Sequence, residues 1–466
     1  MNEATNLQRP LDATVASSRA ARVGRRLAAM AGLDFHVAVT LMFRSWTIVA
    51  GAATMVLLPL WLTPTLQGYY YTFASILALQ VFFELGLNQI VSQLVSHEVA
   101  HLTMGAGGEL QGDALHLDRL GSLARLMRRW YAVASVLFVA GGGAIGIGFF
   151  LHKGGLAPSG WLGPWCLLTC ASAINLYFSP ALAMQEGTGQ VGQVARLRLI
   201  QSCVGYLCLW TALFCGAGLW AAAAAPLVGA SCTGWWLGRH GVVLRRLAAR
   251  SVDANRRVLW RRDVFPFQWR IALSWASGYF IFNMFTPMVF SHQGAVEAGR
   301  LGMALTVFNA VSTVGMSWIN ARNPQFAMHI SRNERGQLNA LFGSVVVRAC
   351  LATAALSLVV VGGAWALDAA GLPVMRRIAS LDVLGCLAWV TVVNSVIFAA
   401  AGYMRAHREE PMLPVSIVTG TLIGAVAWFG SRAGVAPMMF LYAAVTTLLT
   451  LPWTLVIFSR YYKKND

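Results

Sequence analysis

The sequence predicts an all-α polytopic membrane protein of about twelve transmembrane helices, in two six-helix lobes related by a pseudo-twofold axis along the membrane normal. Two observations predict it: twelve apolar stretches of bilayer length, and loops whose arginines fall almost entirely on one side. A hydrocarbon core about 30 Å thick needs roughly 20 apolar residues, and a helix satisfies its own backbone there. The predicted spans are approximately 39–62, 69–92, 130–151, 161–184, 199–217, 219–238, 266–290, 299–320, 343–366, 380–404, 412–431 and 437–458.

The loop arginines predict the orientation, because Arg and Lys collect in cytoplasmic loops. With a cytoplasmic N-terminus, the inside segments hold Arg9, Arg19, Arg22, Arg25, Arg26, Arg119, Arg125, Arg128, Arg129, Arg239, Arg245, Arg246, Arg250, Arg256, Arg257, Arg261, Arg262, Arg460, Lys463 and Lys464. The outside loops add little beyond Lys153, Arg376, Arg377 and Arg432. We therefore expect both termini inside. The segment 199–238 has almost no turn, and Arg376–Arg377 make a basic outside loop.

Four regions follow from these spans. Residues 1–38 form a basic amphipathic segment on the cytoplasmic leaflet, and they do not read as a signal peptide. The N-lobe covers 39–238, an Arg-rich linker covers 239–264, and the C-lobe with a short tail covers 265–466. Both lobes start from the same side, so the repeat is parallel.

Composition excludes several classes of protein. The chain is 57% hydrophobic and 11% charged with a net charge of +17, and its arginines flank the spans, where anionic lipids attract them. We expect these lipids, and no nucleic acid, as partners. The eight cysteines lie in or beside spans and predict packing, with no disulfide. No Walker lysine motif is present, so no ATP chemistry and no cofactor is expected.

A polar stripe runs along the second span, where Gln80, Glu84, Asn88 and Ser92 are spaced four apart. Glu84 lies too deep to reach water at a membrane edge, and ionisable residues at such depth are costly. The stripe has two interpretations: a functional cavity, with Glu84 in ion coupling, or a structural hydrogen-bond network between helices.

Polar faces also mark the first, seventh and eighth spans. They are headed by Arg44 and Arg270, and they contain Thr47, Gly51, Thr54, Ser274, Ser277, Thr306, Asn309, Thr313, Ser317 and Asn320. We expect these faces to meet across the seam between the lobes in a hydrophilic cavity. Its guanidinium groups suit a phosphate or diphosphate, although both arginines also suit snorkelling to the headgroups. Asn175 and Asn394 are expected to form interhelical hydrogen bonds.

The stretch His97-Glu98-Val99-Ala100-His101 matches the zinc-protease pattern H-E-x-x-H. The match is short, no persuasive third ligand follows, and twelve spans exceed what a protease requires. We interpret the stretch as a polar helix end at the cytoplasmic surface, with no metal and no catalytic residues.

Several stretches resemble bacterial Wzx-like polysaccharide flippases, of the superfamily that also contains multidrug antiporters and the lipid II flippase. The resemblance lies in Gln67-Gly68-Tyr69-Tyr70-Tyr71-Thr72-Phe73, Ala78-Leu79-Gln80-Val81-Phe82-Phe83-Glu84-Leu85-Gly86, Gln268-Trp269-Arg270-Ile271-Ala272, Gly278-Tyr279-Phe280-Ile281-Phe282 and Ser317-Trp318-Ile319-Asn320.

The resemblance implies a flippase, not an enzyme, that moves an undecaprenyl-diphosphate-linked oligosaccharide across the bacterial inner membrane by alternating access. It implies a role in cell-surface polysaccharide biosynthesis, as a monomer beside a polymerase and glycosyltransferases. Substrate binding is expected at Arg44, Arg270, Gln80, Asn88, Asn309 and Asn320, and ion coupling at Glu84. A proton- or sodium-coupled multidrug antiporter of the same superfamily is the alternative, and a membrane enzyme such as a zinc protease is the more distant one.

Overall fold

The computed structural model describes residues 35–105, 110–249, 252, 257–332, 334–406 and 411–465; most of the predicted amphipathic segment 1–38 lies outside them. The first half contains helices α1 (Phe35–Trp61), α2 (Pro64–Leu77), α3 (Val81–Glu84), α4 (Leu87–Val99), α5 (Ala114–Leu137), α6 (Gly143–Lys153), α7 (Pro158–Gly187), α8 (Val191–Phe214), α9 (Ala224–His240) and α10 (Val242–Ala249). The second half contains α11 (Phe265–Phe282), α12 (Phe285–Gln293), α13 (Ala295–Ser331), α14 (Arg335–Ala369), α15 (Leu381–Ala406), α16 (Leu413–Ala425), α17 (Ser431–Ala433), α18 (Val435–Val445) and α19 (Leu451–Asn465).

Short irregular helices join several of these elements. Turns of 3₁₀-helix cover Ala78–Gln80, Gly218–Ala223 and Pro373–Arg377, and π-turns cover Phe138–Gly142, Trp260–Val264, Val426–Gly430 and Thr446–Thr450. A two-stranded antiparallel hairpin, β1 (Leu102–Met104) and β2 (Leu110–Gly112), pairs Leu102 with Gly112. This hairpin is the one departure from the predicted all-α class among the described residues.

The structure is that of a multi-pass membrane protein, as predicted. By length and composition, nine helices of the described chain can cross a membrane, and ten if one bent pair is counted as a span. The predicted sixth and seventh spans do not pass that test in the described residues. They are nevertheless helical: a 3₁₀ turn continues into α9, and α11 continues into α12 after a short break. The doubtful turn after the fifth span lies at Gly216 and Gly218, whose φ angles of 73° and 57° favour glycine.

Helix packing repeats between the two halves. The first span packs on the fifth (α1 on α8) as the seventh packs on the eleventh (α11 on α16). The second packs on the fourth (α4 on α7) as the eighth packs on the tenth (α13 on α15). The pairs α5–α7 and α7–α9 likewise correspond to α14–α15 and α15–α18. The repeated pairing is what two lobes with parallel internal symmetry require.

The two ends of the molecule differ. We call the end with Arg119, Arg245 and Arg270 the basic end, and the opposite one the distal end. At the distal end an aromatic cluster joins the lobes, since the Tyr69 ring lies 5.2 Å from that of Phe150 and 5.0 Å from that of Phe290. These fully buried rings tie the second, third and seventh spans together.

The second span is broken, which corrects the continuous stripe that we expected along it. Leu85 and Gly86 both have left-handed backbone, with φ angles of 51° and 68°. The two halves of the span are bent by 41° at this point. A positive φ is unusual for leucine and marks a locally strained backbone. Glu84 and Asn88 therefore lie on either side of a bend, and not on one straight helical face.

Candidate transport pathway between the lobes

At the distal end, the second and eighth spans close the gap between the lobes. A Cβ added to Gly68 would lie 1.8 Å from the carbonyl oxygen of Ala295, and one added to Gly299 would lie 2.8 Å from the amide nitrogen of Gly68. The buried Gln67 side chain bridges the same gap, because its Nε2 donates to the carbonyl oxygens of Gly299 and Arg377, each at 3.2 Å. Small residues and direct hydrogen bonds thus seal this side.

The face of α13 that seals the distal end continues toward the basic end as a polar stripe. Gly302 belongs to the sealed part, since its Cβ would lie 2.5 Å from Cβ of Tyr71. Residues at helical spacing from Gly302 continue the same face. They are half-buried Thr306, followed by exposed Asn309, Thr313, Ser317 and Asn320. One helix face is therefore closed against the other lobe at one end and open at the other.

Two adjoining cavities, of about 470 and 290 Å³, lie beside this stripe and are lined mainly by the second lobe, although the second span also contributes to the wall of the larger one. Asn309 and Thr313 of the stripe line the smaller one, and Asn394 lines both. Most of the wall is apolar or aromatic, and its polar groups are neutral apart from Arg405. Among the described residues, no Asp or Glu lines either cavity. This lining offers amide and hydroxyl groups, which both donate and accept hydrogen bonds.

The polar faces of the first and seventh spans do not meet across the seam, so this expectation was wrong. The Trp210 indole Nε1 of the fifth span donates to Thr54 Oγ1 at 2.9 Å, which places the polar face of α1 against its own lobe. The seventh span repeats this, since a Cβ on Gly420 of α16 would lie 3.0 Å from Cβ of Ser277. Polar groups within a bilayer bond to whichever helix packs on them, and here that helix belongs to the same lobe.

Arg44 and Arg270 are both exposed, and the structure places them in different settings. Arg270 lies one turn before Ser274, which lines the larger cavity, and its guanidinium carbon is 5.3 Å from the ring centroid of Trp269. Arg44 heads the face of α1 that packs on α8. Only Arg270 therefore lies on a face that leads into a cavity.

Glu84 and Asn88 form a polar node within the first lobe. Asn88 Nδ2 donates to Glu84 Oε1 at 2.5 Å, and Tyr131 of the third span donates to Asn88 Oδ1 at 3.0 Å. Ser179 Oγ of the fourth span lies 3.5 Å from the same Asn88 oxygen. No basic side chain among the described residues forms an ion pair with Glu84. Gln80 lies half-buried in the 3₁₀ turn before the bend, outside this node.

The H-E-x-x-H stretch lies at the end of α4 with both histidines exposed, as expected for a polar helix end, and it also contains a buried ion-pair junction. Glu98 Oε1 accepts from Arg119 Nε, and Oε2 lies beside His116 Nδ1, both at 2.6 Å. Arg119 Nη2 is also 4.0 Å from Asp263 Oδ1, in the segment that leads into the seventh span. Among the described residues, no group of three or more His, Cys, Asp or Glu is placed to hold a metal.

Two residues of the pathway were missed from the sequence. Gln67 looked like an outside loop residue, and its burial depends on a contact 232 positions away. Arg405 looked like an ordinary basic residue at the end of the tenth span, yet it lines the larger cavity. The interhelical bond predicted for Asn175 is confirmed, since Asn175 Nδ2 donates to the Pro226 carbonyl at 2.7 Å, and Asn394 lines both cavities.

No family model and no curated protein matches the chain. Solved structures do match it over nearly its whole length. One is the inward-facing conformation of a multidrug resistance MATE family transporter of the MOP superfamily: the TM-score is 0.58 at 12% identity, over 90% of this chain and 99% of that chain. An outward-facing conformation of such a transporter gives 0.50 at 12% identity, over 91% and 94%. MATE in complex with MaD5 gives 0.50 at 13% identity, over 91% and 94%. The chain therefore has the fold of the MATE transporters.

Proposed function

We propose that this chain is a transporter that works by alternating access between its two lobes. The observation that carries the proposal is the single face of α13, sealed at Gly302 and exposed at Asn309, Thr313 and Asn320. A path open at one end and closed at the other is one of the two states that such a mechanism needs. The chain is more similar to the inward-facing structure than to the outward-facing one, which supports a state that is open at the basic, cytoplasmic end.

We further propose that the substrate is an undecaprenyl-diphosphate-linked oligosaccharide, flipped across the bacterial inner membrane. The neutral amide and hydroxyl lining suits sugar hydroxyls, which need both donors and acceptors. The absence of carboxylates from both described cavities disfavours a cationic substrate. Arg405 in the larger cavity and Arg270 at its approach would meet the diphosphate, which guanidinium groups bind in bidentate fashion. Arg44 would attract the same headgroup at the basic end.

Glu84 is the proposed coupling residue. Its carboxylate lies within a span, at a backbone bend, and its amide partner Asn88 is shared with the third and fourth spans. Proton or sodium binding would neutralise this carboxylate, whose negative charge is costly within a span. The same event would change the hydrogen bonds that hold the bend, and thereby link ion binding to movement of the second span.

Multidrug antiport is the second candidate, and one observation favours it. The larger cavity contains the aromatic side chains Trp275, Tyr279, Phe282 and Phe398, which suit flat lipophilic molecules. The fold likeness supports both candidates equally.

Reconstituted vesicles separate the two candidates. The probe for flipping is an undecaprenyl-diphosphate-linked disaccharide with a fluorophore on the sugar; dithionite, which does not cross the bilayer, quenches the outer leaflet alone unless the protein exchanges the leaflets. Ethidium efflux under a proton gradient tests drug antiport in the same vesicles. Quenching of nearly all fluorescence without ethidium efflux supports the flippase, and the reverse result supports the antiporter.

A matched pair of threonine variants controls the flipping measurement. Thr313 and Thr421 are both exposed on spans, and each donates to the carbonyl four residues earlier, at 2.8 and 2.9 Å. Thr313 lines the smaller cavity, whereas Thr421 lines neither. Thr313→Val should slow flipping, and Thr421→Val should not.

A further inference from the structure

A groove of about 370 Å³ opens on the first lobe at its basic end. It lies between α5, α7, α9 and α10, that is, the third, fourth and sixth spans and the short helix after them. None of these helices forms the distal seal between the lobes, which belongs to α2 and α13. The groove is therefore separate from the proposed transport pathway.

The floor of this groove is apolar and its charge is positive. Met127, Phe178 and Leu237 are among the side chains that line it, and Arg128 and Arg245 are its only charged lining residues among those described. Gly238 provides depth, since a Cβ placed there would meet nothing within 4 Å.

Both arginines are available to a ligand. Arg245 Nη2 donates to the Gly238 carbonyl at 2.8 Å, which holds the guanidinium at the groove while its other N–H groups stay free of protein partners in the described chain. Arg128 is exposed, and no hydrogen bond or ion pair joins it to another described residue. Two guanidinium groups above an apolar floor match one anionic head attached to hydrocarbon chains.

We propose that this groove binds an anionic phospholipid of the adjacent leaflet, with its phosphate between Arg128 and Arg245 and an acyl chain along the floor. The position of the groove along the membrane normal supports this proposal, because the groove lies where the apolar spans end and the amphipathic α10 begins. The basic N-terminal segment is a poor occupant, since Arg19, Arg22 and Arg25 would be repelled by the same charges. Binding would fasten α10 to the ends of three spans.

Native mass spectrometry of the purified full chain tests this site. The protein is offered equal amounts of phosphatidylglycerol and phosphatidylcholine with identical acyl chains. We expect selective retention of phosphatidylglycerol by the wild type. Each basic side chain near a membrane surface contributes roughly five-fold in affinity, so Arg128→Gln with Arg245→Gln should weaken phosphatidylglycerol binding about 25-fold. Phosphatidylcholine binding should change little.

Two further variants keep the result interpretable. Arg129→Gln removes an exposed neighbouring arginine that does not line the groove, and it should retain the lipid. Gly238→Leu fills the floor with both arginines intact, and it should lose the lipid while the protein stays folded, because its Cβ meets open space.

Three outcomes would overturn the proposal. Equal phosphatidylglycerol retention by the wild type and the double glutamine variant would show that the arginines do not hold it. Retention by Gly238→Leu at the wild-type level would show that no acyl chain lies in the groove. Protection against thermal unfolding by inorganic phosphate as large as that by phosphatidylglycerol would make this a free-phosphate site.

Discussion

At the scale of single residues, the charged groups of this chain divide by what surrounds them. Glu98 is buried and ion-paired, Glu84 is half-buried with one amide partner, and Arg270 is exposed at the approach to a cavity. The two glutamates therefore differ in their contacts, since Glu98 is held by an arginine and Glu84 only by an amide. Each setting makes a different prediction for substitution.

Arg270→Ala should reduce flipping by about ten-fold to a hundred-fold, because a charge-assisted hydrogen bond contributes roughly 1.5–3 kcal/mol. Arg270→Lys should retain only part of the wild-type flipping rate, since lysine keeps the charge but lacks the planar, two-pronged guanidinium group. Dithionite quenching of the labelled lipid measures both. Arg239 is the matched control, because it stacks on Trp235 at 4.8 Å at the same end of the molecule but lines neither transport cavity. Normal flipping by Arg270→Ala at wild-type abundance would leave this arginine as a membrane anchor.

Glu98→Gln should destabilise the protein by up to about 3 kcal/mol, the low end of the cost for a broken buried pair, because Arg119 is one-quarter exposed. Thermal unfolding of the purified protein measures the loss. Glu297→Gln breaks the pair with Arg300, whose side chains are each about one-third exposed, and should cost less than about 1 kcal/mol. An unchanged midpoint for Glu98→Gln would contradict a structural role for the junction.

At the scale of elements, the sequence predicted the apolar centre of each span better than the ends of its helix. Helix α13 runs for 37 residues where a span at 299–320 was predicted, because the polar residues that follow the span also form helix. The bend of the second span was not predictable from spacing, since a left-handed leucine has no local sequence signal. Polar faces were found correctly, yet a face does not state which neighbour covers it, and so the partners of Thr54 and Ser277 were missed.

Gly86→Ala should impair transport through the bend of the second span. The new Cβ would lie 2.4 Å from Ile271 Cγ2, and a φ of 68° costs an L-residue roughly 1–2 kcal/mol. Ile271→Ala removes the clashing atom. The double variant should therefore recover the flipping rate lost through the clash, but not the rate lost through the strained backbone. The flipping rates of the two single variants and the double variant separate the effect of the clash from that of the backbone strain. Wild-type flipping by Gly86→Ala would show that the bend is not required.

At the scale of the whole molecule, the alternation of the spans predicts which residues face each side. In a cysteine-free background, Ser159→Cys at the distal end should react with an impermeant thiol reagent from outside the cell. Gln111→Cys at the basic end should react only in inverted vesicles. Both positions are exposed, so access depends on the membrane and not on burial. Labelling of Gln111→Cys from outside would reverse the proposed orientation.

The central claim is that substrate passes through one seam that opens at alternate ends. Cysteines at Tyr71 and Gly302 test it most directly, because their Cβ atoms would lie 2.5 Å apart and a shift of about 1 Å brings them to disulfide geometry. In a cysteine-free background, each single variant serves as a control for the loss of the native side chain. We predict that oxidation of the pair stops flipping of the labelled lipid and that reduction restores it. Flipping at an unchanged rate by the fully oxidised protein would contradict alternating access through this seam.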